Sequence, residues 1–80
     1  MKKVGTVTHY YGKIGVAILQ LEVPLKVGDT LKFQGHGADF EQAVSQMQVD
    51  HADVPSAAAG SQVGMKVDQP VKEGTEVFLA

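Results

Sequence analysis

Short apolar runs, separated by turns rich in glycine and proline, recur along the whole chain. The runs are rich in Val, Ile, Leu, Thr and Phe, and several alternate apolar with polar positions as half-buried strands do. Runs of this length at steady spacing are typical of an all-β barrel or sandwich. The pattern predicts six strands, at residues 4–9, 14–22, 30–34, 42–49, 62–67 and 76–79. It predicts turns or loops at residues 25–29, 35–38 and 51–59.

The predicted strand at residues 14–22 is apolar on both of its faces near its middle. Val16 and Ile18 lie on one face, and Ala17 and Leu19 lie on the other. Because a small closed barrel has one interior, we expect one of these faces to look outward. An outward apolar face is typical of a surface that meets a partner.

Residues 40–50 fit two kinds of secondary structure. Apolar residues recur there at helical spacing, and Asp39 with Gln42 would form a capping box at a helix N-terminus. As a strand, the same segment places alternate side chains on one face. Because tertiary pairing in an all-β domain often overrides weak local propensity, we predict a strand at 42–49. The helical spacing involves Phe40, Ala43, Val44 and Met47, and the strand face involves Ala43, Ser45, Met47 and Val49.

Size and composition indicate one small globular domain that covers residues 1–80. Of the 80 residues, 44% are hydrophobic and 20% are charged, an ordinary globular balance. The chain has no cysteine, which excludes disulfides, zinc–thiolate sites and cysteine nucleophiles. A formal net charge of -2 argues against DNA binding and against strong autonomous RNA binding. With no secretory signal and no run of about 20 apolar residues, we expect a cytoplasmic protein without a membrane partner.

Three segments carry turn-and-strand motifs in a fixed order. Residues 12–31 hold an apolar strand followed by Leu-Lys-Val-Gly-Asp, residues 58–65 read Ala-Ala-Gly-Ser-Gln-Val-Gly-Met, and residues 71–77 hold a glycine turn before a short strand. Together they resemble the second domain of elongation factor Tu. The resemblance implies a six-stranded closed Greek-key barrel, in which closure removes exposed strand edges.

Other stretches resemble a narrower group. Residues 3–10, and residues 40–42 with 47–48, are similar to short stand-alone elongation-factor-like proteins and to the barrel at the C-terminus of collagenase-like peptidases, a family linked to tRNA modification. The resemblance implies a non-catalytic binding module that contacts RNA, either tRNA or the ribosome, or a protein partner in a translation-related process. It also implies an alternative, an accessory domain or subunit of a collagenase-like peptidase or tRNA-modifying enzyme.

No catalytic constellation stands out, so we predict that the chain is not an enzyme and uses no cofactor. GTP hydrolysis needs a phosphate-binding loop with Lys followed by Ser or Thr, and the chain has no such run, so we expect it to bind no GTP itself. The three histidines, His9, His36 and His51, are too scattered for a recognisable metal motif. Folding could still bring them together near carboxylates, which leaves a metal-dependent enzyme as a third hypothesis.

The segment His9-Tyr10-Tyr11-Gly12-Lys13 is the most suggestive binding site. Two aromatic rings beside a lysine and a histidine could stack on bases or pack on a protein partner. The competing interpretation has one tyrosine capping the barrel and the other lying on the surface. Strict alternation in the first predicted strand places His9 on the same face as Val7.

The resemblance implies two further candidate binding residues, Gln46 and Gln62. In elongation factor Tu, the pocket for the aminoacylated end of tRNA lies between the strand that matches residues 46–48 and the turn that matches residues 59–62. That family has an acidic residue at the position of Gln46 and an asparagine at that of Gln62, and Met47 is expected to face the core. The candidate binding residues are therefore His9, Tyr10, Tyr11, Lys13, Gln46 and Gln62.

Overall fold

A computed structural model of the protein describes residues 2–80. Over these residues the chain forms ten β-strands and no helix, so the predicted all-β class is confirmed. The strands are β1 (Lys2–Tyr11), β2 (Val16–Leu21), β3 (Leu25–Lys26), β4 (Thr30–Gly35), β5 (Ala38–Ala43), β6 (Met47–Val49), β7 (Ala52–Val54), β8 (Ser56–Ala57), β9 (Gln62–Lys66) and β10 (Glu76–Leu79). Within residues 2–80 there is no helix of the length and apolarity needed to cross a membrane.

Eight of the strands form one sheet, in the order β5-β4-β10-β1-β2-β9-β6-β7, and β3 pairs separately with β8. The expectation of six strands closed into a barrel is therefore wrong in two respects. The described chain has ten strands, and the large sheet ends at β5 and β7, which do not pair with each other. The additional strands β3, β6, β7 and β8 have only two or three residues each. Elements that short show no alternation by which a sequence pattern could detect them.

The segment of residues 40–50 is extended, and its helical alternative is wrong. β5 pairs with β4 along its whole length, but residues 44–46 leave the ladder before β6 begins. The N–H of Val44 donates to the Asp29 carbonyl at 2.8 Å, and the Val44 carbonyl accepts from the N–H of Gly28 at 2.9 Å. The single strand predicted at 42–49 is thus divided in two, because Val44 pairs with the turn before β4. Met47 is buried, as expected.

Residues 51–59, predicted to be a polar loop, contain two short strands. β7 pairs with β6, and β8 pairs with β3. Neither segment has a local apolar pattern, since β7 reads Ala-Asp-Val and β8 reads Ser-Ala. The two segments form strands because a neighbouring strand supplies hydrogen-bond partners for their backbone N–H and C=O groups.

One apolar core is shared by most of the strands. Within it, Phe33 and Phe40 stack with ring centroids 4.9 Å apart and planes 7° from parallel. Thr75 is fully buried, and its hydroxyl accepts from the Lys72 N–H at 3.3 Å and donates to the Gly35 carbonyl at 3.5 Å. The apolar core consists of Val4, Val7, Ala17, Leu19, Leu21, Leu25, Leu31, Phe33, Ala38, Phe40, Val44, Met47, Val63, Met65, Val71 and Val77.

A side-chain amide joins β5 to the end of β9, two strands that are not paired by backbone hydrogen bonds. Gln42 Nε2 donates to the Lys66 carbonyl at 2.9 Å, and the Asp68 N–H donates to Gln42 Oε1 at 2.7 Å. One side chain thereby supplies the donor and the acceptor that a paired strand would supply. We call this pair of hydrogen bonds the Gln42 bridge.

Candidate binding groove

A groove lies where β1, β2 and β9 meet the turn between β6 and β7. Its cavity volume is about 580 Å³, within the range of about 300–1,000 Å³ that is usual for ligand pockets. The apolar part of its lining consists of Tyr11, Ile14, Val16, Ile18, Val63 and Gly64. The polar part consists of Thr8, His9, Gln48, Asp50, His51 and Gln62.

A β-bulge in β1 turns His9 towards this groove. Val7 pairs with Leu19 and His9 pairs with Ile18, so Thr8 is the extra residue on β1. Val7 is buried, whereas His9 is exposed. The expectation that Val7 and His9 share a face is therefore wrong, because an extra residue in one strand reverses the alternation that follows it.

His9 and Tyr11 form an aromatic wall of the groove. Their ring centroids are 4.3 Å apart in an edge-to-face arrangement, and His9 Nδ1 lies 3.3 Å from Glu73 Oε2. Tyr11 is 49% exposed, whereas Tyr10 packs against the core. One tyrosine therefore covers the core and the other lies on the surface, which leaves Tyr11 as the ring that a ligand could contact.

β2 and β9 supply the apolar floor. Val16 and Ile18 are half-buried and line the groove, whereas Ala17 and Leu19 on the opposite face are completely buried. β2 thus presents an outward apolar face, as its sequence predicts. Gly64 pairs with Ile18 across the floor, and a Cβ at Gly64 would lie 3.4 Å from Ile18 Cδ1. Glycine at this position keeps the floor open.

The Asp50-His51 turn between β6 and β7 forms part of the rim. Val49 pairs with Ala52, so these two residues make the whole turn, with φ angles of 53° and 65°. Two-residue hairpin turns with positive φ at both positions favour Asn and Gly. A side chain with a Cβ costs about 1 kcal/mol in this backbone region. The sequence shows no glycine here, so a hairpin turn was not predicted and both rim residues were missed.

Gln46 lies beside the groove, not in it. With Gln48 and Lys66 it lines an adjacent hollow of about 160 Å³. The side-chain amides of Gln46 and Gln48 donate to the same oxygen, Asp53 Oδ1, at 2.8 and 3.0 Å. These hydrogen bonds, that of Gln48 first, hold the pKa of Asp53 below its ordinary value.

The six candidate residues from the sequence are only partly brought together. His9, Tyr11 and Gln62 line the groove, and Gln46 lines the adjacent hollow. Lys13 is exposed in the turn of residues 12–15. Sequence reasoning also missed Gln48, which alternates with Met47 and would have been found by following the outward face of β6.

The groove has little positive charge. Among residues 2–80 no lysine lines it, and the complete sequence contains no arginine. Asp50 is its carboxylate. Over the same described residues, no group of three or more histidine and carboxylate side chains is placed to hold a metal ion.

Nearly the whole chain matches part of a curated relative, although no protein-family model matches it. The relative is an uncharacterized protease of Methanocaldococcus jannaschii, 38% identical over 78 residues. The match covers 96% of this chain and 19% of the protease. The chain therefore spans about a fifth of the length of this relative.

Two solved structures share the fold. The C-terminal domain of a Geobacillus thermoleovorans protein assigned to the U32 peptidases has a TM-score of 0.92 at 21% identity, covering 99% of this chain and 92% of that one. The bacterial selenocysteine-specific elongation factor EF-Sec has a TM-score of 0.74 at 19% identity, covering 96% of this chain and 14% of that one. The predicted likeness to an elongation-factor domain and to a peptidase C-terminal domain is confirmed at the level of fold.

Proposed function

We propose that this chain is a non-catalytic accessory module that works with a larger U32-type peptidase protein, as a subunit or as one of its domains. The observation that carries the proposal is the match in which 96% of the chain aligns with 19% of a protease. The remaining four-fifths of that relative has room for its catalytic machinery. The part shared with this chain then supplies binding, a role that a small β-domain can perform without its own active site.

The groove supports binding more than catalysis. Its floor is aliphatic, and its titratable side chains His9, Tyr11, Asp50 and His51 are all exposed. Catalytic acids and bases usually lie in clefts that exclude water, unlike these exposed side chains. A half-buried apolar floor with a polar rim is instead typical of an interaction surface.

A mixing experiment tests the accessory role. The purified chain and a U32-type protein from the same organism are combined at about 10 µM each, a concentration at which a micromolar complex is largely formed. We expect the two to co-elute in size-exclusion chromatography. Separate elution, with no heat of binding in calorimetry, would contradict the proposal.

A second candidate function is contact with RNA, either tRNA or the ribosome. It is favoured by the fold shared with EF-Sec and by exposed Tyr11, His9 and Lys13 at the end of one hairpin. In this role the six candidate residues His9, Tyr10, Tyr11, Lys13, Gln46 and Gln62 would contact or support the RNA. Filter binding with tRNA at two salt concentrations is the test, since phosphate contacts weaken as salt rises. Binding that is absent, or independent of salt, counts against this function.

A further inference from the structure

The two most exposed large apolar side chains of the described residues lie at the groove. Among residues 2–80 the large hydrophobic residues with the greatest exposure are Ile14 at 61% and Tyr11 at 49%, and both line the groove. They stand beside the half-buried Val16 and Ile18 of its floor. A contiguous apolar patch on a small protein, rimmed by polar residues, marks a place where another apolar group is buried.

The charges around the groove disfavour a phosphate ligand. Asp50 and His51 line the groove, and Glu73 is paired with His9 at its wall. No lysine of the described residues 2–80 lines it, and the chain lacks arginine, the residue that binds phosphate through two parallel hydrogen bonds. Nucleic-acid affinity depends on neutralising phosphates with cationic side chains. The carboxylate that lines the groove, Asp50, is complemented by a ligand with a positive group.

We propose that the groove binds an aromatic or branched aliphatic side chain of a polypeptide segment that carries lysine or arginine beside it. The inference rests on the proposed function, because the segment belongs to the protein partner of the module. Tyr11 and Ile14 pack on the apolar side chain above the floor, and Asp50 attracts the neighbouring cation. Gln62 at the rim offers both a donor and an acceptor to the backbone of the segment.

The ligand class is tested by following amide signals of the isotope-labelled full chain in NMR titrations. The probes are acetyl-Lys-Leu-Phe-Lys-amide, the matched acetyl-Glu-Leu-Phe-Glu-amide, and a tetra-adenylate RNA. Titration to about 5 mM detects millimolar dissociation constants. We expect the lysine peptide to shift signals of residues 9–18, 48–51 and 62–64, and to bind at least about threefold more tightly than the glutamate peptide. Groove signals that respond more strongly to tetra-adenylate, or to neither peptide, overturn the proposal.

Two variants separate the apolar and the charged parts. Ile18→Gln introduces the residue type of Gln20, which lies on the same outward face of β2. It should raise the dissociation constant of the lysine peptide about tenfold, because it removes apolar surface from the floor. Asp50→Asn should raise it about threefold and remove the preference over the glutamate peptide. Val27→Gln, at an exposed apolar residue outside the groove lining, is the control and should change neither value. Dispersed amide spectra establish that each variant is folded, and equal affinities in all four proteins contradict the proposal.

The same variants distinguish failure of the inference from failure of the accessory role. If the U32-type protein binds wild type and Ile18→Gln equally well, the partner docks elsewhere and the inference fails while the accessory role stands. If it binds neither, the accessory role fails, and the peptide titration still decides whether the groove takes a cationic, apolar segment.

Discussion

The hairpins β4–β5 and β1–β2 both contribute apolar side chains to the core, but they differ in the regularity of their strand pairing and in the side chains that they expose. β4 and β5 pair in unbroken register, and Phe33 faces Phe40 across the ladder inside the core. β1 shifts register twice against its neighbours, and its hairpin carries Tyr11 and Ile14 outside the core. Regular pairing therefore keeps Phe33 and Phe40 together in the core, whereas a bulge turns side chains to the surface, where a partner can reach them.

The largest expected effect is in the regular hairpin. Phe33→Ala removes a completely buried ring and its stack on Phe40, and should lower the free energy of unfolding by about 3–5 kcal/mol. Ile14→Ala, at the exposed end of the bulged hairpin, should change it by less than about 0.5 kcal/mol. Urea unfolding followed by fluorescence or circular dichroism measures both. Similar losses of unfolding free energy in the two variants would contradict the contrast between a buried and an exposed hairpin.

In the bulged strand β1, the backbone of β2 leaves no room for a side chain at Gly5. The first register shift of β1 lies between Lys3 and Gly5, and a Cβ at Gly5 would overlap the carbonyl oxygen of Gln20. Gly5→Ala should therefore cost about 2 kcal/mol in unfolding free energy, because backbone must move to admit the methyl group. Gly12→Ala is the matched control, since its Cβ would meet only a Tyr10 ring atom at 3.6 Å. An equal, small effect at both positions would show that the strands can separate at low cost.

The free end of the regular hairpin depends on the Gln42 bridge. Gln42→Ala deletes both of its hydrogen bonds, to Lys66 and from Asp68, and should destabilise the fold by about 1–2 kcal/mol. The exposed Gln34 of β4 provides the control variant Gln34→Ala. Hydrogen exchange adds a local measurement, in which the Asp68 amide should exchange faster in Gln42→Ala alone. Unchanged exchange at Asp68 would mean that the bridge does not hold β5 to β9.

The two-residue turns sharpen the same contrast. The β4–β5 turn already has glycine at its second position, Gly37, whereas Asp50-His51 has two residues with a Cβ at positive φ. Replacing Asp50-His51 with Asn-Gly should raise the unfolding free energy by about 1 kcal/mol, because that pair favours this backbone conformation. His36→Asn should raise the unfolding free energy by less, since only one position of that turn changes. Thermal unfolding of the two variants tests the order, and a loss of stability at the groove turn would contradict it.

The smallest effect concerns acid stability at β7. The Asp53 carboxyl has an ordinary pKa of 3.8, and hydrogen bonds from Gln48 and Gln46 lower it in the folded protein. Its stabilising contribution is therefore complete above that ordinary pKa and is lost as pH falls through the lowered value. Asp53→Asn should slightly flatten the dependence of the urea midpoint on pH between about 5 and 2. A steeper dependence of the urea midpoint on pH in the variant would contradict a lowered pKa of Asp53 in the folded protein.

Half of the candidate site was accessible to sequence reasoning. The aromatic cluster at His9 and Tyr11 was identifiable by residue type, and β2 was identifiable as a strand with apolar residues on both faces, one of which had to look outward. Asp50 and His51 did not, because a turn without glycine looks like the end of a strand. Gln46 was placed by resemblance, but its amide is directed to Asp53 beside the groove.

Alternation along single strands determined the all-β class and the inward side of β4, because the side-chain period of a strand is a local property of its backbone. Pairing between distant segments decided the rest. Whether Val44 stays in β5 depends on the turn at Gly28 and Asp29, and whether His9 faces the core depends on a bulge defined against β2. The binding groove therefore belongs to the tertiary structure, since a bulge and a sheet order exist only between strands and never within one.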